Sequence, residues 1–335
     1  MRDAVGAADR LRAAVVSAIE DALAAAPAPL ADVYVGWVAA AEAADCPARY
    51  RAAGEGGWGF PGWSAGNAAA AVARAALDHH LHRADAAGPV GDPGDLPAPL
   101  EVVRGWIREV AVAGGPGVGG WVGDLRADGD AATLAATAGL ATRWTAGFVR
   151  VLGWPLPDGL TLLNVVRDDG ASGAPRWWPA KGSAVTVACG ADARLGRVTG
   201  SGDHVLVVHR PSSGDDGEVH RRATFEAAAG TLALRVAPAA VLVTAGDTGE
   251  RARVVADEDL LAAGGEMIVE VVRQRVAALA RGHDPADATP STRCRWCDEA
   301  SHCEPGTAWL AGPGRWRGGL PVLADTARDL GDPSL

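Results

Sequence analysis

Residues 184–192 read Ala-Val-Thr-Val-Ala-Cys-Gly-Ala-Asp, an apolar run rich in β-branched residues that ends in a glycine and an acid. Such a run predicts a buried strand at 184–189 followed by a turn. Further runs of this kind lie at residues 160–166, 205–209 and 241–245. Helical periodicity predicts helices between and after these strands, at about 221–235 and 256–281. The pattern therefore predicts an α/β fold with a mixed central sheet flanked by helices.

The chain before residue 151 has a different pattern, because its apolar residues recur at helical spacing. The predicted helices lie at about 1–26, 31–45, 67–82, 99–112 and 131–150, and the glycine-rich residues 114–124 are predicted as a loose segment. We divide the chain into a helical N-terminal region (1–84), a linker and helical insert (85–150), an α/β core (151–290), a cysteine-containing segment (291–318) and a tail (319–335). The first region and the insert are expected to pack on the core.

Composition limits the classes of function. The 335 residues carry 41 acidic and 31 basic side chains, for a net charge of −10, which argues against a general polyanion binder. No apolar run reaches the ~18–20 residues of a membrane helix, and the first residues are charged where a signal peptide would be apolar. We therefore expect a cytoplasmic protein that does not contact a membrane. Lys181 is the only lysine.

Three of the five cysteines form a cluster, Cys294-x2-Cys297-x5-Cys303. Thiols of a cytosolic protein seldom form disulfides, whereas two thiolates three residues apart can chelate a metal from one turn. Zinc and iron–sulfur clusters both select thiolate ligands. The spacing predicts a metal centre whose fourth ligand is either His302 or a distant cysteine. Cys189 lies in an apolar strand and is expected in the core.

A second cysteine-containing segment, Asp45-Cys46-Pro47-Ala48-Arg49-Tyr50, completes a pattern with this cluster. Together they resemble the iron–sulfur members of the PD-(D/E)XK nuclease superfamily, the RecB-like and AddB-like exonuclease domains and their relatives in CRISPR adaptation. The resemblance covers most of residues 31–306 and leaves the 85–150 insert unmatched. It implies that Cys46, Cys294, Cys297 and Cys303 hold a 4Fe–4S cluster, with zinc as the alternative metal.

The resemblance also implies where nuclease chemistry should lie. In these nucleases a metal is held by an Asp at the end of one strand and by an Asp or Glu on the next strand. This second acid lies two residues before a lysine. A metal-binding His on an early helix is often added. Asp192 matches the first acid. The other three family positions are occupied by different residue types: His209 replaces the second acid, Pro211 replaces the lysine and Ala70 replaces the early histidine.

The single lysine tests the catalytic motif independently of this alignment. The residue two positions before Lys181 is Pro179, so no Asp/Glu-x-Lys motif exists anywhere in the chain. We interpret the catalytic site as vestigial, with Asp192 and His209 as its remnants.

The sequence therefore predicts a catalytically inactive, nuclease-like iron–sulfur protein that binds DNA or acts as a scaffold in DNA repair, recombination or defence against foreign DNA. A helicase or another DNA-processing protein is the expected protein partner. One alternative is an active Mg- or Mn-dependent nuclease that uses Asp192, His209 and Glu218. Another is a zinc-stabilised protein-interaction module. Residues 176–222 carry a slight excess of basic side chains, which predicts either a DNA-facing surface or an ordinary mixed one.

Overall fold

The computed structural model describes residues 2–30, 32–52, 64–81, 96–109, 117–152, 160–165, 175–180, 183–196, 204–210, 216–246, 248–281, 285–291, 294, 297 and 302–312. The helices are α1 (Arg2–Ala24), α2 (Trp37–Asp45), α3 (Pro47–Ala52), α4 (Ala65–Leu81), α5 (Pro99–Glu109), α6 (Gly117–Ala127), α7 (Ala131–Leu152), α8 (Asp216–Leu234), α9 (Glu258–Arg281) and α10 (Glu304–Ala311), with a 3-10 turn at Pro285–Asp287. The strands are β1 (Val33–Val35), β2 (Thr161–Val165), β3 (Arg176–Trp177), β4 (Val185–Ala188), β5 (Ala193–Gly196), β6 (His204–Arg210), β7 (Ala240–Ala245) and β8 (Arg251–Val255).

The strands form two mixed sheets. The larger has the order β2-β5-β6-β7-β8, in which β6 and β7 are parallel and the other neighbours are antiparallel. Helix α8 makes the crossover that a parallel β6–β7 pair requires. The smaller sheet has the order β1-β4-β3, with β1 parallel to β4. Because β4 runs through residues 189–192 directly into β5, this short segment connects the two sheets.

Strand β6 lies at the centre of the molecule, because helices cover both of its faces. Leu206 and Val208 face a core formed with α1, α8 and α9, while Val207 faces a second core formed with α4, α5, α6 and α7. Burial on both sides explains why β6 reads as a continuous apolar run without alternation. Helices α8 and α9 pack closely, since a Cβ at Gly264 would lie 2.6 Å from the Cβ of Ala228.

The mixed α/β class predicted from the sequence is confirmed, and β2, β4, β6, β7, α8 and α9 lie where strands and helices were predicted. The prediction of a loose segment at 114–124 is wrong, because helix α6 begins at Gly117. Val118 and Val122 of α6 are buried in the second core, and this burial outweighs the ~1 kcal/mol that each helical glycine costs.

The helix predicted at 31–45 is also corrected, since strand β1 precedes a shorter α2. Val33 and Val35 of β1 face the core and pair with β4. The N-terminal region thus adds a strand to the smaller sheet as well as packing helices on it. Most of the predicted linker, residues 85–95, and the tail 319–335 lie outside the described residues. No described helix is long and apolar enough to cross a membrane.

Candidate functional site

Four cysteines that are far apart in the sequence line a single cavity. The space enclosed between them is small, about 10 Å³. The lining residues are Cys46, Arg49, Ala288, Thr289, Pro290, Cys294, Cys297, Cys303 and Gly306. Cys46, Cys294 and Cys303 are buried, and Cys297 is half-buried. Among the described residues, no three His, Cys, Asp or Glu side chains converge closely enough to hold one metal ion.

Cys46 occupies the break between α2 and α3. Its N–H donates to the Glu42 carbonyl at 3.0 Å, which ends α2, and its own carbonyl accepts from the Tyr50 N–H at 3.0 Å, which begins α3. Pro47 fits the first position of α3 because that residue needs no hydrogen-bond donor. Two helix ends therefore fix the backbone that presents the Cys46 thiol to the cavity.

The C-terminal cysteines are positioned by backbone hydrogen bonds. The Ser291 N–H donates to the Cys294 Sγ at 3.3 Å, and the Cys303 carbonyl accepts from the Thr307 N–H at 2.9 Å in the first turn of α10. A Cβ at Gly306 would lie 3.3 Å from the Cys303 Sγ and 3.5 Å from the Cys294 Sγ, so this glycine keeps the cavity open.

The segment after Cys46 is held against the C-terminal part of the chain by side chains. The buried Arg51 donates to Gln274 of α9 at 2.8 Å and to Asp287 of the 3-10 turn at 2.6 Å. The Tyr50 hydroxyl accepts from Arg275 at 3.0 Å, and burial raises the pKa of this hydroxyl. Arg49, on the cavity wall, pairs with Glu42. Protein contacts alone therefore bring the two cysteine segments together.

The other two candidates for the centre lie elsewhere. His302 is exposed and does not line the cavity, whereas Cys46 does. Cys189 is buried in the first core, as predicted, and burial raises the pKa of its thiol well above the ordinary value. The donor set around the cavity consists of thiols.

Asp192 lies in the segment between β4 and β5, buried at 3% exposure. Its Oδ1 accepts from the Arg74 guanidinium of α4 at 2.6 Å, and its Oδ2 accepts from the backbone N–H of His209 at 2.6 Å. The structure thus brings together the two residues that the resemblance implied, and the Arg74 guanidinium contacts the Asp192 carboxylate. Pro211 and Lys181 lie outside the described residues.

The His209 imidazole is buried between α7 and the end of β7. Its Nδ1 lies 2.8 Å from the Thr244 hydroxyl, and its ring packs edge-on against Trp144 and Phe148. Its Nε2 lies against Gly147, where a Cβ would be 3.2 Å away. Burial lowers the pKa of His209 to about 4, with Arg150 lowering it further and Asp192 opposing the shift. A neutral imidazole enclosed in this way contacts core side chains, not solvent.

Sequence reasoning missed two arginines at this site. Arg74 lies one helical turn after Ala70, the position of the expected histidine, so the same face of α4 reaches Asp192. Arg222 pairs with the fully buried Glu226 at 2.8 Å, and Glu226 also accepts from the Gly190 N–H at 2.6 Å. The i,i+4 spacing of Arg222 and Glu226 was the available sequence signal. Burial raises the pKa of Glu226, and Arg222 opposes that shift.

The structure favours the mixed-surface interpretation of residues 176–222. Arg210 pairs with Glu218 at 3.0 Å, and Arg221 pairs with Asp45 at 3.0 Å. Burial lowers the pKa of Arg194. Several of the basic side chains counted in the sequence are therefore already neutralised, and Glu218 is engaged with Arg210.

No family model matches the chain, and a search of curated proteins finds no relative.

Proposed function

We propose that the protein is a PD-(D/E)XK nuclease-like 4Fe–4S protein without nuclease activity, which binds DNA or acts as a scaffold in DNA repair, recombination or defence against foreign DNA. The observation that carries this proposal is the single cavity lined by Cys46 and by the three C-terminal cysteines. A cytoplasmic location and a helicase or another DNA-processing protein as partner belong to the same proposal.

We assign a polynuclear cluster, and not a single zinc ion, to this cavity. Tetrahedral zinc with Zn–S bonds near 2.3 Å would hold the sulfur atoms ~3.8 Å apart. The four cysteines share a cavity, yet no three metal-binding side chains among the described residues converge on one position. In a 4Fe–4S cluster each thiolate binds a different iron, so the four cysteine sulfurs lie further apart than around a single zinc ion. When bound, the cluster would cross-link the α2–α3 junction to the C-terminal segment.

The surroundings of Asp192 support the loss of catalysis. The resemblance assigns this acid to a metal, but both of its oxygens are engaged by Arg74 and by the His209 N–H. We infer that the Arg74 guanidinium supplies the positive charge that a metal would supply in an active relative. The second buried carboxylate, Glu226, has its own guanidinium partner in Arg222. Neither carboxylate is left to bind a cation by itself.

The test combines metal analysis with a nuclease assay. Protein purified without oxygen should be brown, absorb broadly near ~400 nm and contain about four irons per chain. The same protein with Mg²⁺ or Mn²⁺ should leave single- and double-stranded DNA intact. Cleavage that Asp192→Ala abolishes would establish the active-nuclease alternative. Colourless protein with one zinc per chain would establish the zinc-stabilised interaction module.

A further inference from the structure

Exposed arginines in this acidic protein fall into two groups. Many pair with acids, including Arg10 with Glu258, Arg221 with Asp45 and Arg273 with Glu266. A second group is exposed and forms no ion pair with any described residue. This group includes Arg143, Arg150, Arg251 and Arg253, which lie on two packed elements, together with Arg104, Arg108, Arg176 and Arg235 on other parts of the described chain. Because the chain carries a net charge of −10, a group of arginines without acidic partners needs a physical explanation.

Two of these arginines lie on α7. Residues 131–152 contain no Asp or Glu, although 41 acids occur in the chain. Arg143 and Arg150 are both exposed and stand seven positions apart, which places them on one face of the helix, ~10 Å apart along its axis. Between them on α7 the exposed residue is Ala146, so this stretch of the helix places no long exposed side chain between the two arginines.

Two more arginines of this group lie on β8, the edge strand of the larger sheet. Its exposed residues alternate with half-buried ones, so Arg251 and Arg253 project from the same face, ~7 Å apart. Arg253 is paired with Leu242, which packs in the second core. The two arginines therefore project on the side of the sheet that carries α7.

Contacts at the end of β7 bring the two pairs to the same region. Arg251 is paired with Thr244, whose hydroxyl lies 2.8 Å from the ring of His209, and that ring lies against Gly147 of α7. One turn further along α7, the Arg150 guanidinium donates to the carbonyl of Gly246, the residue that follows β7. Arg150 of α7 and Arg251 of β8 therefore both lie near the end of β7, with Arg143 and Arg253 further along the same helix and strand.

We propose that this α7–β8 arginine surface, formed by Arg143, Arg150, Arg251 and Arg253, binds the sugar–phosphate backbone of DNA. The inference rests on the proposed DNA-binding function and names the surface that carries it. Guanidinium groups donate two parallel hydrogen bonds to a phosphate, and the ~7 Å spacing on β8 is that of neighbouring phosphates along a strand. Contacts made to phosphates alone give affinity without base specificity.

The experiment compares two triple variants that lose the same charge. R143Q/R251Q/R253Q removes three arginines of the surface and retains Arg150, which bonds to the backbone. R10Q/R221Q/R273Q removes three exposed arginines that are in ion pairs elsewhere. Binding to two duplexes of unrelated sequence is measured by fluorescence anisotropy over a range of salt concentrations, and circular dichroism and iron content confirm that each variant is folded.

The surface variant should bind both duplexes about 500-fold more weakly at about 0.1 M salt, and the slope of log K against log salt should fall in magnitude by about 3, since each phosphate contact contributes ~0.9. The control variant should bind like wild type. If both variants bind as wild type does, the protein binds DNA but not through the α7–β8 arginine surface. If wild type binds no duplex at low salt, both the DNA-binding function and the assignment of this surface are wrong. Binding only to phosphatidylserine vesicles, lost in the surface variant, also overturns the assignment to DNA.

Discussion

Asp192 depends on one guanidinium for its buried charge. The side chains of Arg74 and Asp192 are 14% and 5% exposed and lie 2.6 Å apart. Removing one member of a buried pair leaves the other charge uncompensated, which typically costs 3–5 kcal/mol. We therefore expect Arg74→Ala to lower the free energy of unfolding by about 3–5 kcal/mol in urea denaturation.

Arg273 supplies the matched control, because it pairs with Glu266 at the surface, where both side chains are about half exposed or more. Arg273→Ala should cost no more than about 1 kcal/mol. Equal, small losses in the two variants would show that Arg74 does not neutralise a buried carboxylate.

His209 makes stability depend on pH. Its pKa is about 4 in the folded protein, against an ordinary value of 6.5, because burial disfavours the charged ring. Between these values the unfolded chain takes up a proton that the folded protein does not, so the free energy of unfolding falls as pH is lowered from about 6.5 to 4. The loss amounts to at most about 3 kcal/mol.

The measurement is chemical denaturation of wild type and His209→Gln at several pH values in this window. Gln does not titrate, so the stability of wild type relative to the variant should decline steadily as the pH falls. Asp192 and Arg150, the charged groups that act on the ring, are present in both proteins. A stability difference that is the same at every pH would contradict the assigned shift.

At the scale of elements, the first turn of α10 shapes the cysteine cavity. Gly306 lies where a Cβ would contact the sulfurs of both Cys303 and Cys294. A larger side chain would occupy space that the cluster needs, so Gly306→Val should contain much less iron per chain than wild type, with Gly306→Ala between them. Gly139→Val is the control, because nothing lies within 4 Å of a Cβ at that exposed position of α7. Full iron content in Gly306→Val would show that this turn does not border the cluster.

The elements differ in how far the sequence predicts them. Strands β4, β6 and β7 are predictable because each is a β-branched run between turn residues. Helix α6 could not be predicted, since Gly117, Gly119, Gly120 and Gly123 argue against a helix. Its Val118, Trp121 and Val122 pack in the second core and stabilise it. Strand β1 has three residues, too few for a period, and its identity depends on pairing with β4.

At the scale of the whole molecule, the sequence predicts part of the candidate site and misses the rest. The cysteine pattern could be recognised because thiols in a fixed spacing have few roles, and the structure places all four around one cavity. The role of Arg74 could not be recognised from the sequence, because an arginine on a helix has many ordinary roles. Its contact with Asp192 depends on how α4 packs against the sheets. The α7–β8 arginine surface could not be predicted from the sequence either, since α7 and β8 are about a hundred residues apart in the chain.

The central claim is that one cluster joins Cys46 to the C-terminal cysteines. The most direct test is the iron content of Cys46→Ser and Cys189→Ser purified without oxygen, because both remove a buried cysteine but only Cys46 lines the cavity. We predict that Cys189→Ser keeps about four irons per chain and that Cys46→Ser loses the cluster, its absorbance near ~400 nm and part of its thermal stability. Wild-type iron content and absorbance in Cys46→Ser would contradict the claim.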